Sequence, residues 1–397
     1  MPTSSVWDTF TPLANAHSSV NLGQGFPTFA APRIVVRATQ AALERGVTQY
    51  TRAQGHVRLV NALARYVQPT LSAPIDPMRN IVTTVGATEA LLLATMATLN
   101  PGDGALLIAP FYDSYAEQVR LAGGVPHFCS LRRGDSDASS WTLPFDELEA
   151  TVSANPSIKL LFFNNPSNVP GKVYSRAELE RVAAFAIKHN LTVIADEVYD
   201  VLTFESRLPF IRLASLPGMA ERTISIGSAG KLFSVTGFKV GWCIGPENVI
   251  AAMSRVHQYL AFCVSSTLQE GVAVALEDMA ADNYVATMRA EYDERRHLLV
   301  DMLRRVNLRP IVPHGSYFVV ADASGVDPAR FVDPASSDAL DWQFCKWLTV
   351  TGGVCAIPLS PFYNRGAKLP GVLARFAFCK TNEQISEAEK RLQKLFN

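Results

Sequence analysis

The chain has 397 residues, and its 36 Lys plus Arg balance 36 Asp plus Glu, so the formal net charge is zero. A balanced chain has no global field to gather phosphate backbones or anionic lipid surfaces, which argues against a nucleic-acid or membrane partner. Hydrophobic residues at 48% with charged ones at only 18% describe a large buried core, not a disordered segment. At roughly 150 residues per domain the length suggests two to three domains.

In chain order, residues 1–10 carry neither a basic leader nor an apolar run, so a secretory signal is not expected. From residue 80 the pattern alternates. A β-rich run at 81–85 precedes a helix over 87–99, a strand at 105–109 precedes a helix over 113–122, and a strand at 159–163 precedes a helix over 176–189. Apolar strands follow at 191–195, 223–226 and 240–244. Near-continuous apolar runs of this kind are buried on both faces, as in a largely parallel sheet covered by helices. The stretch 87–99 is the most apolar, but it contains Glu89 and is too short to span a bilayer. Beyond residue 247 long helices dominate, and 281–305 is amphipathic and long enough to join two domains. From 309 onward short strands at 317–320, 354–357 and 374–378 mix with helices. The expected architecture is α/β. Residues 1–35 form an N-terminal arm and part of a small domain, 36–290 a large domain, and 291–397 a small α+β domain. The six cysteines (Cys129, Cys243, Cys263, Cys345, Cys355, Cys379) are scattered and form no C-x-x-C pair. They read as reduced thiols of a cytoplasmic protein, with neither a disulfide frame nor a metal site.

Four segments carry chemistry. The first runs from Ser225 through Gly227, Ser228, Gly230 and Lys231 to Gly237 and Lys239. Small residues crowd a lysine, so backbone amides can approach an anion. A nucleotide P-loop fails here, because Ser225 replaces the first glycine and Leu232 the hydroxyl that would hold Mg²⁺. The second is Asp196-Glu197-Val198-Tyr199, at the carboxyl end of an apolar strand, where ligands of open α/β sheets sit; a helix-capping aspartate is the other reading. The third runs from Asn164 to Lys172, a turn-rich stretch with Asn168 at its centre. The fourth, Gly86-Ala87-Thr88, joins a strand to a helix and offers free amides to a phosphate.

In this order the four segments resemble the class I/II aminotransferases, pyridoxal-phosphate enzymes of fold type I, and the likeness covers essentially the whole chain. The resemblance implies a seven-stranded, mostly parallel sheet between helices, pyridoxal 5′-phosphate as cofactor, amino acids and 2-oxo acids as substrates, and a homodimer with a shared site. Lys231 matches the Schiff-base lysine, which also moves the proton at the substrate Cα. Asp196 matches the partner of the ring nitrogen, and Asn168 with Tyr199 the pair on the ring hydroxyl. Gly86, Ala87, Thr88, Ser228 and Lys239 match the phosphate cup, and Tyr112 the aromatic that stacks on the ring. Tyr50 matches the tyrosine lent to the phosphate by the neighbouring subunit, and Arg375 the arginine that grips the substrate carboxylate, for which a planar fork is suited. For Arg375 a surface-paired strand arginine is the alternative.

The stretch from Val20 to Pro27, with Gly25 near the substrate carboxylate, is similar to the kynurenine aminotransferase subgroup, also known as glutamine transaminase K or cysteine-conjugate β-lyase. In that subgroup Trp7 and, from the other subunit, Phe262 would wall a pocket for aromatic, glutamine-like or sulfur-bearing side chains. Gly23-x-Gly25 is no dinucleotide fingerprint, since Thr28 stands at the third glycine. A β-lyase or another fold type I lyase or synthase shares every cofactor residue and is the alternative activity. One departure concerns geometry. The family's Asn-Pro pair is Asn168-Val169 here, with proline moved to 170. A cis bond without proline costs about 2.5–4 kcal/mol, so a trans Asn168-Val169 bond is expected.

Overall fold

The computed structural model describes residues 5–134, 137–367, 369 and 371–396. Seven strands form one sheet in the order Ile81–Val85, Val240–Ile244, Thr223–Ser228, Thr192–Asp196, Ile158–Asn164, Gly104–Ala109 and Val125–Ser130. The last five run parallel to one another, while Val240–Ile244 is antiparallel to both of its neighbours. Leu160, Leu161, Phe162 and Phe163 are consecutive and all buried. Successive strand residues point to opposite faces, so both faces of the sheet are covered. Each such side chain contributes about 1.5–3 kcal/mol of burial.

The helix Gly86–Thr98 lies against the strands Ile81–Val85, Thr223–Ser228 and Val240–Ile244 and under the helix Glu247–Leu260, which accounts for its apolar composition. Its carboxylate, Glu89, accepts the Val85 N–H at 2.5 Å and pairs with the buried His257 at 3.0 Å. The edge strand Val125–Ser130 was not anticipated from sequence. Pro126 and a half-exposed pattern disguise it, and a sheet edge is where a strand tolerates proline.

Three early helices, Val6–Ala16, Arg33–Glu44 and Val57–Val67, also lie outside the expected elements. The first begins on a capping box formed by Ser5 and Asp8, so Trp7 sits in an ordered helix and not in a loose arm. The expected strand 354–357 is divided at Ala356. Val354–Cys355 pairs in parallel with Val20–Asn21. Ile357–Pro358 begins a four-stranded antiparallel sheet that continues through Leu373–Ala377, Phe318–Asp322 and Arg309–Ile311. The helix Tyr284–Arg305 reaches from one sheet to the other. Near its start the Tyr284 hydroxyl donates to the Leu232 carbonyl at 3.1 Å and Tyr292 bonds Ser234 at 2.8 Å; it also packs on the strands Arg309–Ile311 and Phe318–Asp322. The division drawn between residues 290 and 291 falls inside this helix. All six cysteines are unpaired, five of them buried. Among the described residues no helix is long and apolar enough to cross a membrane.

Candidate active site

The parallel strands and Ile81–Val85 all end at one edge of the large sheet, and the chemistry-bearing residues gather there. Asp196 closes the strand Thr192–Asp196, and Ser228 closes Thr223–Ser228. The chain then turns through the short helix Ala229–Leu232 and re-enters the sheet at Val240, with Ser228 opposite Gly241. This reversal puts Lys231 and Lys239 at the same edge, which is why a spacing of eight residues brings two ammonium groups together. Gly86 has a positive φ of 74°, and a Cβ there would come within 3.0 Å of Lys239 Nζ. Glycine thus leaves the first helical amides and the lysine open to a shared anion.

A cavity of about 400 Å³ opens over this edge. Ala87, Thr88, Tyr112, Asn168, Asp196, Tyr199, Lys231 and Lys239 line its large-sheet side, while Trp7, Gly25 and Arg375 line the other. Eleven of the fifteen residues singled out from sequence therefore share one cavity. Gly86 adjoins the lining residue Ala87 and lies against Lys239, and Ser228 ends the strand that leads to Lys231. Tyr50 and Phe262 do not reach it: they meet edge to face at 5.2 Å on the surface, where Tyr50 is 84% exposed and Phe262 46%.

Inside the cavity several polar groups are paired. Burial raises the pKa of Asp196, and hydrogen bonds from the Tyr115 hydroxyl at 2.5 Å and the Val198 amide at 3.4 Å act against that rise, as does the charge of Lys231. The next residue, Glu197, anchors the turn by accepting the Leu213 N–H at 3.0 Å and pairing with buried Arg212, which also reaches Asp200 at 3.2 Å. Lys231 Nζ donates to Tyr317 Oη at 2.5 Å. Burial lowers its pKa to about 8, the charges of Arg375 and Lys239 push the same way, and Cys379 and Asp196 oppose them. An amine in that range is readily neutral, as a nucleophile or proton acceptor must be.

Arg375 is 2% exposed and lies on an inner strand of the small sheet, which excludes the surface-paired reading. Its guanidinium stacks 3.7 Å from the Phe318 ring and 4.7 Å from Phe362. Nη1 donates to Asn168 Oδ1 at 2.5 Å and Nη2 to the Gly23 carbonyl at 3.4 Å, while Nε is buried without a partner among the described residues. Burial lowers its pKa to about 10. Asn168 Nδ2 donates to the Tyr199 hydroxyl at 3.1 Å, so one asparagine links the two sides of the cavity. The Asn168-Val169 bond is trans as expected, and the cis bond lies one step later, at Val169-Pro170. Trp7 Nε1 donates to Asp113 Oδ2 at 3.0 Å, which pins the first helix over the cavity. Gly25 has no room for a side chain, because a Cβ there would lie 2.4 Å from the Phe318 ring.

Sequence reading missed Tyr115, Asp113, Tyr317 and Phe318. The first two sit in the same aromatic segment as Tyr112 and were available as its neighbours. Phe318 opens a strand and Tyr317 directly precedes it, and an aromatic pair there looks like ordinary sheet packing.

The family description "Aminotransferase class I and II" matches residues 18–392. The kynurenine–oxoglutarate transaminase of Dictyostelium discoideum is 41% identical, covering 98% of this chain and 94% of that protein. Among solved structures, the N-succinyldiaminopimelate aminotransferase from Mycobacterium tuberculosis is 36% identical with a TM-score of 0.88, covering 99% of this chain and 97% of that one. YbdL from Escherichia coli, described with a methionine aminotransferase function, is 30% identical with a TM-score of 0.88 and covers 99% of both chains.

Proposed function

The chain belongs to the class I and II aminotransferases, and from that premise we propose that its amino donors carry aromatic, glutamine-like or sulfur-bearing side chains, kynurenine among them. The activity itself is amino-acid transamination with pyridoxal 5′-phosphate. The residues present fit that group: a readily neutral amine, a buried carboxylate, a flat wall at Tyr112 and an anion cradle at Gly86 converge on one cavity. When bound, the cofactor supplies an aldehyde for the substrate amine and a conjugated ring that takes up electrons as the Cα–H bond breaks.

Within this reading the chain's own groups divide the work. Gly86, Ala87, Thr88, Ser228 and Lys239 would hold the phosphate at the helix N-terminus. Asp196, where Tyr115 and Lys231 act against the rise that burial imposes on its pKa, would hold a proton on the ring nitrogen. Tyr199 and Asn168 would orient the ring oxygen, and Tyr112 would cover one face. Lys231 would bind the aldehyde carbon and, once displaced by substrate, carry the proton between Cα and the cofactor. Arg375 would take the α-carboxylate beside Gly25 and Asn168. Its aromatic surroundings keep water from the pair and strengthen it.

The side-chain preference rests on Trp7 as an aromatic wall and on Arg375 being the sole arginine among the described residues that line the cavity. With Lys231 and Lys239 given to the cofactor, a second carboxylate would lack a guanidinium partner there. A homodimer is part of the same proposal, supported by the exposed apolar side chains Tyr50, Tyr259, Leu260 and Phe262, of which Tyr50 and Phe262 touch. In that assembly Tyr50 and Phe262 would serve the second copy's site. A cytoplasmic location agrees with six unpaired cysteines.

The observation that carries the proposal is the convergence of the Lys231 amine, the buried Asp196 carboxylate and the buried Arg375 guanidinium on one cavity. Borohydride reduction followed by peptide mapping should tag Lys231 with the cofactor. An untagged lysine would sink the site assignment, and a panel of amino acids that leaves the cofactor spectrum unchanged would sink the substrate class.

A further inference from the structure

The Lys231 amine has one close partner that the proposed reaction leaves unused. Nζ donates to the Tyr317 hydroxyl at 2.5 Å, and that hydroxyl donates in turn to the Gly25 carbonyl at 2.7 Å. A phenol has one proton and two lone pairs. With its proton committed to Gly25, Tyr317 can only accept from the lysine, whether the amine is charged or neutral.

We propose that Tyr317 is a positioning residue for Lys231: it fixes one N–H of the amine and so turns the remaining proton or lone pair of Nζ toward the cavity. The proposal rests on the reading of Lys231 as the proton carrier. The anchor is stiff. Tyr317 is 1% exposed, packs edge-on to Tyr199 at 5.2 Å, stacks with Tyr292 at 6.2 Å and meets Phe318 at 4.7 Å. Burial pushes its phenol well above the usual 10, so it stays protonated where the amine has already lost its charge. The other titratable groups acting on Nζ are Cys379, Asp196, Arg375 and Lys239, and none of them is hydrogen-bonded to it. The same bridge has a second effect. Gly25 lies on the turn whose Gly23 carbonyl accepts from Arg375. The proton-carrying amine and the carboxylate clamp are therefore tied to one stretch of backbone.

Tyr317→Phe keeps the ring and its packing and removes the bridge, together with the hydroxyl's contact to Tyr199. In the cofactor-loaded protein, cofactor content and the borohydride tag on Lys231 should be unchanged. The half-reaction in a single turnover should slow about tenfold, and the isotope effect with α-deuterated amino acid should rise as proton movement becomes more rate-limiting. In the cofactor-free full chain, competitive acetylation should find Lys231 about two- to threefold more reactive at neutral pH, because loss of an acceptor destabilises the ammonium form. A half-reaction within twofold of the parent, with unchanged isotope effect and acetylation, overturns the proposal. So does a variant that loses cofactor or unfolds more easily, since Tyr317 would then be a packing residue. If the unsubstituted protein is not tagged at Lys231, the reading of the site falls and takes this proposal with it.

Discussion

The two sides of the cavity are built in different ways. On the large-sheet side, Lys231, Asp196, Gly86 and Lys239 project from adjacent strand ends, and their spacing follows from sheet register. On the opposite side, Trp7, Gly25, Phe318 and Arg375 come from a helix, a turn and two antiparallel strands that are far apart in sequence. The first side is a property of one sheet edge; the second exists only when remote segments dock. The cofactor side should therefore respond to substitution by losing chemistry, and the substrate side by losing recognition.

Lys231→Ala tests that division most severely. The half-reaction should fall by about 10³-fold or more, with no borohydride tag, while circular dichroism stays as in the parent. Arg375→Lys comes next. A single ammonium cannot reproduce the fork, so kcat/KM for amino acids should drop by about 10²-fold, read by steady-state kinetics, with cofactor content unchanged. Loss of cofactor in that variant would break the division.

A pH experiment sharpens it. The folded-state pKa of Lys231 is depressed from 10.5 to about 8, so between these values the unfolded chain binds more protons. Stability contributed at this site must then rise from pH 8 to pH 10.5, with the burial cost fully present below pH 8. In cofactor-free protein, Lys231→Met should be more stable than the parent at pH 7 by about 2 kcal/mol, allowing for water in the cavity, and the gap should close toward pH 10.5. Chemical denaturation at both pH values measures this. The smallest effect is expected at Trp7. Trp7→Phe removes the bond to Asp113, worth about 1 kcal/mol, and should raise KM for an aromatic amino acid about fivefold with kcat unchanged.

The same contrast sets how much could be read from sequence. Lys231, Asp196 and Gly86 announce themselves because an apolar strand followed by small or acidic residues is a local pattern with a local cause. The split of residues 354–357 between two sheets has no local cause, since the partners of each half lie elsewhere in the chain. Trp7 falls within the expected N-terminal arm, and it is the Ser5–Asp8 capping box that gives it a helix. Tyr317 was hidden for a related reason: its ring behaves as ordinary strand packing, and only its hydroxyl, pointed at two distant residues, has a chemical partner. At Val169-Pro170 the displaced proline keeps a cis bond in the loop while Asn168 still reaches Arg375 and Tyr199.

The reversal between Ser228 and Val240 also bears on what changes the gene can accept. The separation of the two lysine head groups is set by the number of residues between the outgoing and returning strands. Adding or deleting even one residue at 232–238 would shift Lys239 out of register with Gly86 while leaving Lys231 where it was. Variation in length is therefore better tolerated at the exposed residues Arg365 and Gly366, which do not line the cavity, than anywhere on this short hairpin.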